Sequence, residues 1–142
     1  MDFHYSQEEV GKTAAALLSH ITPSNNSATI VGLSGDLGAG KTTLVAALAK
    51  QLNVQESVVS PTFVIAKFYE LSDIRWDTLV HIDAYRIEDT NELVPLRWET
   101  ICSTPRTLVL IEWPERIDSA LPSTAQRFSI SHTDTGRHIK AI

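Results

Sequence analysis

Short apolar runs alternate with polar stretches along this chain, and the period of each run predicts an element. Ser6-Gln7-Glu8-Glu9 has capping-box spacing, with Ser6 as the N-cap and Glu9 three residues on. Val10, Ala14, Leu17, Leu18 and Ile21 follow at helical spacing and stop at Thr22-Pro23. Residues 28–35, ATIVGLSG, are compact, apolar and partly β-branched, the pattern of a buried strand. Residues 42–52, TTLVAALAKQL, return to helical spacing with Leu44, Val45, Leu48 and Leu52. Beyond them the pattern predicts a loop and then a strand over 57–71, a strand over 78–87 and a helix over 89–103, interrupted or begun at Pro95. Residues 106–113, RTLVLIEW, form the clearest buried strand. RFSIS (127–131) and RHIKAI (137–142) flank Thr133-Asp134-Thr135-Gly136 and predict a C-terminal hairpin. No linker divides the chain. The expectation is one α/β domain over residues 1–142, three-layered, with a mixed sheet because strands outnumber helices in its second half.

The junction of the first strand and its helix carries the chemistry. Gly35-Asp36-Leu37-Gly38-Ala39-Gly40-Lys41-Thr42-Thr43 fits the phosphate-loop pattern G-x-x-x-x-G-K-[ST]. Strand, glycine-rich loop, helix is the context this motif requires. The glycines let backbone N–H groups turn toward one point, and the helix N-terminus adds partial positive charge there. Lys41 is expected to reach terminal phosphates, Thr42 to offer its hydroxyl to Mg²⁺, and Thr43 to bond the α-phosphate. Asp36, an anion beside a phosphate site, is expected to face away. Mg²⁺ also needs a carboxylate. Two strands end in one: LVHID in Asp83 and LVLIE in Glu112. Glu112 is assigned to the metal, directly or through water, and Asp83 to positioning a water or to the metal shell; the two roles are exchangeable at this stage.

Charge and composition narrow the partners. Net charge is −5, and the twelve Lys and Arg residues form no run, so any nucleic acid is expected to be held mainly by partner proteins. One cysteine, Cys102, excludes an internal disulfide framework and is expected to be inert. The opening MDFHYSQEEV has neither the basic nor the apolar region of a secretory signal, and no apolar run is long enough to span a bilayer. A cytoplasmic location without membrane contact is the expectation.

Three further stretches complete a pattern: Ser60-Pro61-Thr62-Phe63, His81-Ile82-Asp83-Ala84-Tyr85-Arg86 and Ile111-Glu112-Trp113-Pro114-Glu115-Arg116. Taken with the phosphate loop, in this order and at these separations, the chain resembles the TsaE (YjeE) family, bacterial ATPases of tRNA threonylcarbamoyladenosine biosynthesis. The resemblance runs from about residue 6 to the C-terminal hairpin. It implies a small P-loop protein that binds Mg²⁺ and ATP and hydrolyses ATP slowly. It implies two paralogous partners with the actin-like ATPase fold, one of which transfers threonylcarbamoyl to the adenosine next to the anticodon, while the small protein resets that complex between turnovers. Carried onto this chain, the resemblance gives residues 35–43 to the phosphates, Thr42 and Glu112 to Mg²⁺, Thr62 to a switch-like loop, and Asp83 to the neighbourhood of the γ-phosphate. Trp113 and the first helix with the hairpin border the nucleotide, with Val10 and His132 toward the base. One departure stands out: Arg97 occupies a position where members usually have glycine, and Pro95 falls inside the helix expected there.

Simpler readings stand beside these. His81 on an apolar strand reads as a buried, hydrogen-bonded side chain rather than a metal ligand or base. Trp76 and Trp98 read as packing or interface, and Glu115 with Arg116 as a solvated pair. The rival functions are a small-molecule P-loop kinase and a nucleotide-gated switch. The guanine-selecting N-K-x-D and the D-x-x-G of GTPases are both absent.

Overall fold

In the computed structural model, residues 1–58 and 65–142 are described. Among them, β1 (Asp2–Tyr5), β2 (Thr29–Ser34), β3 (Ala66–Glu70), β4 (Thr78–Asp83), β5 (Thr107–Glu112), β6 (Gln126–Thr133) and β7 (Gly136–Ala141) form one sheet in the order β1-β7-β6-β2-β5-β4-β3. The central strands β6, β2, β5 and β4 are parallel, whereas β7, β1 and β3 add antiparallel at the two sides. The sheet is therefore mixed, as expected. Its inner strands β2 and β5 are buried almost throughout, which is why they read as continuous apolar runs rather than as alternation.

Two helices, α1 (Val10–His20) and α2 (Lys41–Gln51), cover one face, where Leu17, Leu44 and Leu48 pack with Leu33, Leu79 and Leu110. The other face is covered by a 3-10 segment over Thr90–Leu96, the short α3 (Trp98–Ser103) and a 3-10 segment over Pro114–Ala120, which bury Leu93, Ile101 and Ile117 against Val80, Ile82 and Ile111. Three layers result. No helix among the described residues is long and apolar enough to cross a membrane.

Several boundaries differ from the sequence pattern for local reasons. The motif at Ser6 opens a 3-10 turn, Gln7–Glu9, before α1; the Ser6 N–H donates to Glu9 Oε1 at 2.9 Å. Strand β1 has only four residues and no apolar run, so its pattern predicted nothing; it exists because β7 offers it an edge. Strand β4 stops at Asp83 rather than Ile87, because Asp83 Oδ1 accepts the Tyr85 N–H at 3.0 Å and turns the chain. Pro95 lies inside the 3-10 segment, and the helix proper waits until Trp98, after Arg97 takes a left-handed conformation (φ 56°). The hairpin forms as predicted.

The two tryptophans read as packing are both buried. Trp76 Nε1 donates to Thr29 Oγ1 at 3.0 Å, and Trp98 Nε1 donates to the Ala120 carbonyl at 3.0 Å. Burial, with Glu99 nearby, pushes the Cys102 thiol up to about 11, so thiolate chemistry is suppressed at neutral pH.

Candidate functional site

The carboxyl ends of β2, β4 and β5 meet the N-terminus of α2, and there a cleft of about 310 Å³ opens. Leu37, Gly38, Gly40, Lys41, Thr42 and Thr43 line it from the loop, and Asp83, Tyr85, Glu112, Trp113 and Arg137 line it from the strands and hairpin. A crevice at the strand ends of an open parallel sheet is the ligand position this architecture favours. The glycines make the loop possible: Gly38 has φ 77° and Gly40, at the helix N-cap, φ 102°.

Lys41 is buried, and its Nζ donates to the Asp36 carbonyl at 2.8 Å and also to the Gly35 carbonyl. The same ammonium lies 4.4 Å from the centre of the Trp113 ring. Burial lowers its pKa; Glu112, Glu115, Asp83 and Asp36 act in the opposite sense by favouring the charged form. Trp113 reaches this position by leaving the strand. It stands at φ 60° and ψ 51°, a left-handed backbone that turns its ring across Lys41 and within 5.0 Å of the Tyr85 ring.

Beneath the lysine sits a buried carboxylate. Glu112 is 3% exposed; its Oε1 accepts the Thr42 hydroxyl at 2.7 Å and its Oε2 lies 2.7 Å from His81 Nε2. Register explains the grouping, since β4 and β5 pair Asp83 directly with Glu112. With its proton donated to Glu112, the Thr42 hydroxyl retains lone pairs for a hard cation. No cluster of three or more His, Cys, Asp or Glu side chains able to hold a metal occurs among the described residues. Two oxygen ligands fit Mg²⁺ completed by phosphate and water, not a closed structural metal site.

A family model described as threonylcarbamoyl adenosine biosynthesis protein TsaE matches residues 4–139. The chain belongs to the TsaE family. A Nostoc protein named tRNA threonylcarbamoyladenosine biosynthesis protein TsaE is 41% identical over 110 residues, covering 75% of this chain and 65% of its own length. That match thus spans just under two thirds of the relative. A Haemophilus influenzae protein of the same name is 32% identical over 138 residues, covering 97% of this chain and 84% of its own. The crystal structure of Bacillus subtilis YdiB superposes with a TM-score of 0.73 at 26% identity, covering 99% of this chain and 83% of that one.

Within this TsaE-family fold, Lys41, Thr42, Asp83 and Glu112 converge on the cleft, and so do Leu37, Gly38, Gly40, Thr43 and Trp113. Gly35 and Asp36 act through their carbonyls on Lys41, and Asp36 is exposed. Ala39 is buried behind the loop. Val10 lines a smaller neighbouring cavity with Tyr5, Gln7, Gly40, Thr43 and Arg137. His132 does not line the cleft; its Nε2 lies 2.6 Å from the Gly38 carbonyl and braces the loop from the hairpin. Thr62 lies outside the described residues.

Two further features escaped the sequence pattern. Arg137 lines both cavities, its Nε within 3.2 Å of where a Cβ on Gly40 would stand. Glu115 and Arg116 are both exposed, as a solvated pair would be, but each has another partner: Glu115 Oε2 accepts the Ser34 hydroxyl at 2.8 Å, and the Arg116 guanidinium lies over the Tyr85 ring at 5.6 Å.

Proposed function

We propose that this protein binds Mg²⁺ and ATP in the Lys41–Glu112 cleft, hydrolyses ATP slowly, and serves the threonylcarbamoyladenosine modification of tRNA. The Thr42–Glu112 hydrogen bond beside the buried Lys41 carries the reading, because it joins the phosphate loop to a strand-end carboxylate. The loop and the α2 N-terminus would cradle phosphates, and Lys41 would neutralise charge on the terminal group. Thr42 and Glu112 would hold Mg²⁺, which when bound offsets negative charge on the phosphate oxygens. Asp83, at the cleft wall, would orient a water in line with the terminal phosphate. The water oxygen would bond to phosphorus as the bond to the bridging oxygen breaks, ADP would depart with that electron pair, and the water's proton would pass to the phosphate so formed. Arg137 adds a second cation to the cleft wall.

The names of the relatives support the tRNA assignment, and the net charge of −5 supports contact with tRNA mainly through partner proteins. Those partners would be the two paralogous actin-like-ATPase-fold proteins of the transferase complex, and the compartment the cytoplasm. Calorimetric titration with Mg²⁺ plus ATP or GTP, together with phosphate release, tests the nucleotide half. The expected result is preference for ATP, slow turnover by the isolated protein that partners accelerate or repress, and roughly tenfold or more weaker binding by Lys41→Ala. Binding of neither nucleotide by the wild type would overturn it.

A further inference from the structure

His81 and Glu112 belong to neighbouring strands. The register sets His81 opposite Leu110 and Asp83 opposite Glu112, so His81 is the diagonal neighbour of Glu112 on the same face of the sheet. Both side chains are buried, His81 completely, and His81 Nε2 lies 2.7 Å from Glu112 Oε2. An ionised carboxylate only accepts, so Nε2 carries the proton and donates it. Thr42 holds the other oxygen. The carboxylate is fixed at two points, one from the loop and one from the sheet.

The second imidazole nitrogen has no such use. His81 Nδ1 is buried without a hydrogen-bond partner among the described residues. An unpaired polar atom in the core costs free energy that leucine at this position would not. Among the described residues, the gain set against that cost is the bond to Glu112.

We propose that His81 is a positioning residue. By holding Oε2 it sets the Glu112 carboxylate so that Oε1 accepts the Thr42 hydroxyl's hydrogen bond and leaves the hydroxyl lone pairs available to a cation. This rests on the reading that the cleft takes Mg²⁺ with ATP. Groups that orient metal ligands from behind are commonly worth 10–100-fold in metal affinity.

The test is nucleotide affinity of the full chain measured with a fluorescent ATP analogue, first in chelator and then across a Mg²⁺ titration. Wild type, His81→Leu and His81→Gln are compared. Gln carries an N–H to about the position of imidazole Nε2. Expected is an increase of about tenfold or more in the Mg²⁺ concentration for half-maximal effect in His81→Leu. Affinity in chelator should stay within about twofold, and His81→Gln should return most of the loss. In a Glu112→Gln background, His81→Leu should add nothing, since the two act as a unit. An unchanged Mg²⁺ dependence in His81→Leu overturns the inference and leaves the ATP reading standing. So does an equal loss of affinity with and without Mg²⁺, which marks a merely structural role. If His81→Leu does not fold, His81→Asn replaces it; its amide falls short of Glu112, and behaviour equal to that of His81→Gln overturns the inference. A wild type that binds nucleotide under neither condition overturns both.

Discussion

The Lys41 ammonium lies against the face of the Trp113 ring, 4.4 Å from its centre, at the one point where the strand–turn backbone after Glu112 becomes left-handed. A cation–π contact of this kind contributes about 0.5–2 kcal/mol, more when water is excluded. Trp113→Ala should therefore weaken Mg·ATP binding by roughly three- to thirtyfold, with Trp113→Phe between it and the wild type. Trp113→Gly separates ring from backbone: it relieves the left-handed strain yet should lose affinity as the alanine variant does. Equal affinity in all four proteins would remove the ring from the binding account.

Gly32 makes the turn after β5 possible. A Cβ at this position would stand 2.9 Å from both Cβ and Cγ of Pro114, inside van der Waals contact. Gly32→Ala must push the proline, and with it Trp113, away from the sheet. The expected cost is about 1–3 kcal/mol in denaturant unfolding, together with weaker nucleotide binding. Pro114→Ala, which removes Cγ, should recover part of both losses when combined with it.

Arg97 pays a backbone cost at an exposed position, with φ 56° and ψ 52° between the 3-10 segment and α3. Left-handed geometry costs an L-residue roughly 1–2 kcal/mol that glycine escapes, less what glycine loses in the unfolded chain. Arg97→Gly should raise stability by about 1 kcal/mol and Tm by about 2–4 °C, as a thermal melt would read. A fall in Tm would mean that the guanidinium contributes more than the backbone strain costs.

Acid stability has an identifiable contributor at Asp73. Hydrogen bonds from Arg75, at 3.1 Å from both Nε and NH2, hold its carboxyl below the ordinary value of 3.8. A carboxyl depressed in the folded state stabilises fully above its unfolded value and loses that contribution as pH falls through the folded one. The difference in unfolding free energy between wild type and Asp73→Asn should thus be constant near neutrality and shrink below about pH 4. A difference that grows on acidification would reverse the assignment.

Much of the fold was legible because its signals are local. The loop from Gly35 to Thr43 and the buried runs of β2 and β5 are contiguous in sequence, and the structure keeps them nearly as drawn. Features that depend on strand order were legible only in part: Thr42 and Glu112 were both given to one cation, but the hydrogen bonds that join Thr42 and His81 to Glu112 were not. Thr42 and Glu112 are 70 residues apart, and His81 and Glu112 are 31 apart. They meet only because β4, β5 and β2 lie side by side, an order that no periodicity encodes. Arg137 could be placed on the hairpin, but not beside Gly40, for the same reason. His132 was expected toward the base; its contact with the Gly38 carbonyl depends on how the hairpin folds over the loop and had no signal in the sequence. Trp113 was read as the last residue of a strand because it ends the apolar run; instead it takes a left-handed backbone, with its ring against Lys41 and Tyr85.

The central claim is that the cleft around Lys41 and Glu112 serves threonylcarbamoyl transfer to tRNA. The most direct measurement is threonylcarbamoyladenosine formed per transferase complex on unmodified tRNA, with the partner proteins, threonylcarbamoyl-adenylate and ATP supplied. This protein would be present as wild type or as Glu112→Ala. The account predicts many turnovers with the wild type and a stall near one with the variant. A yield that neither protein changes would contradict it.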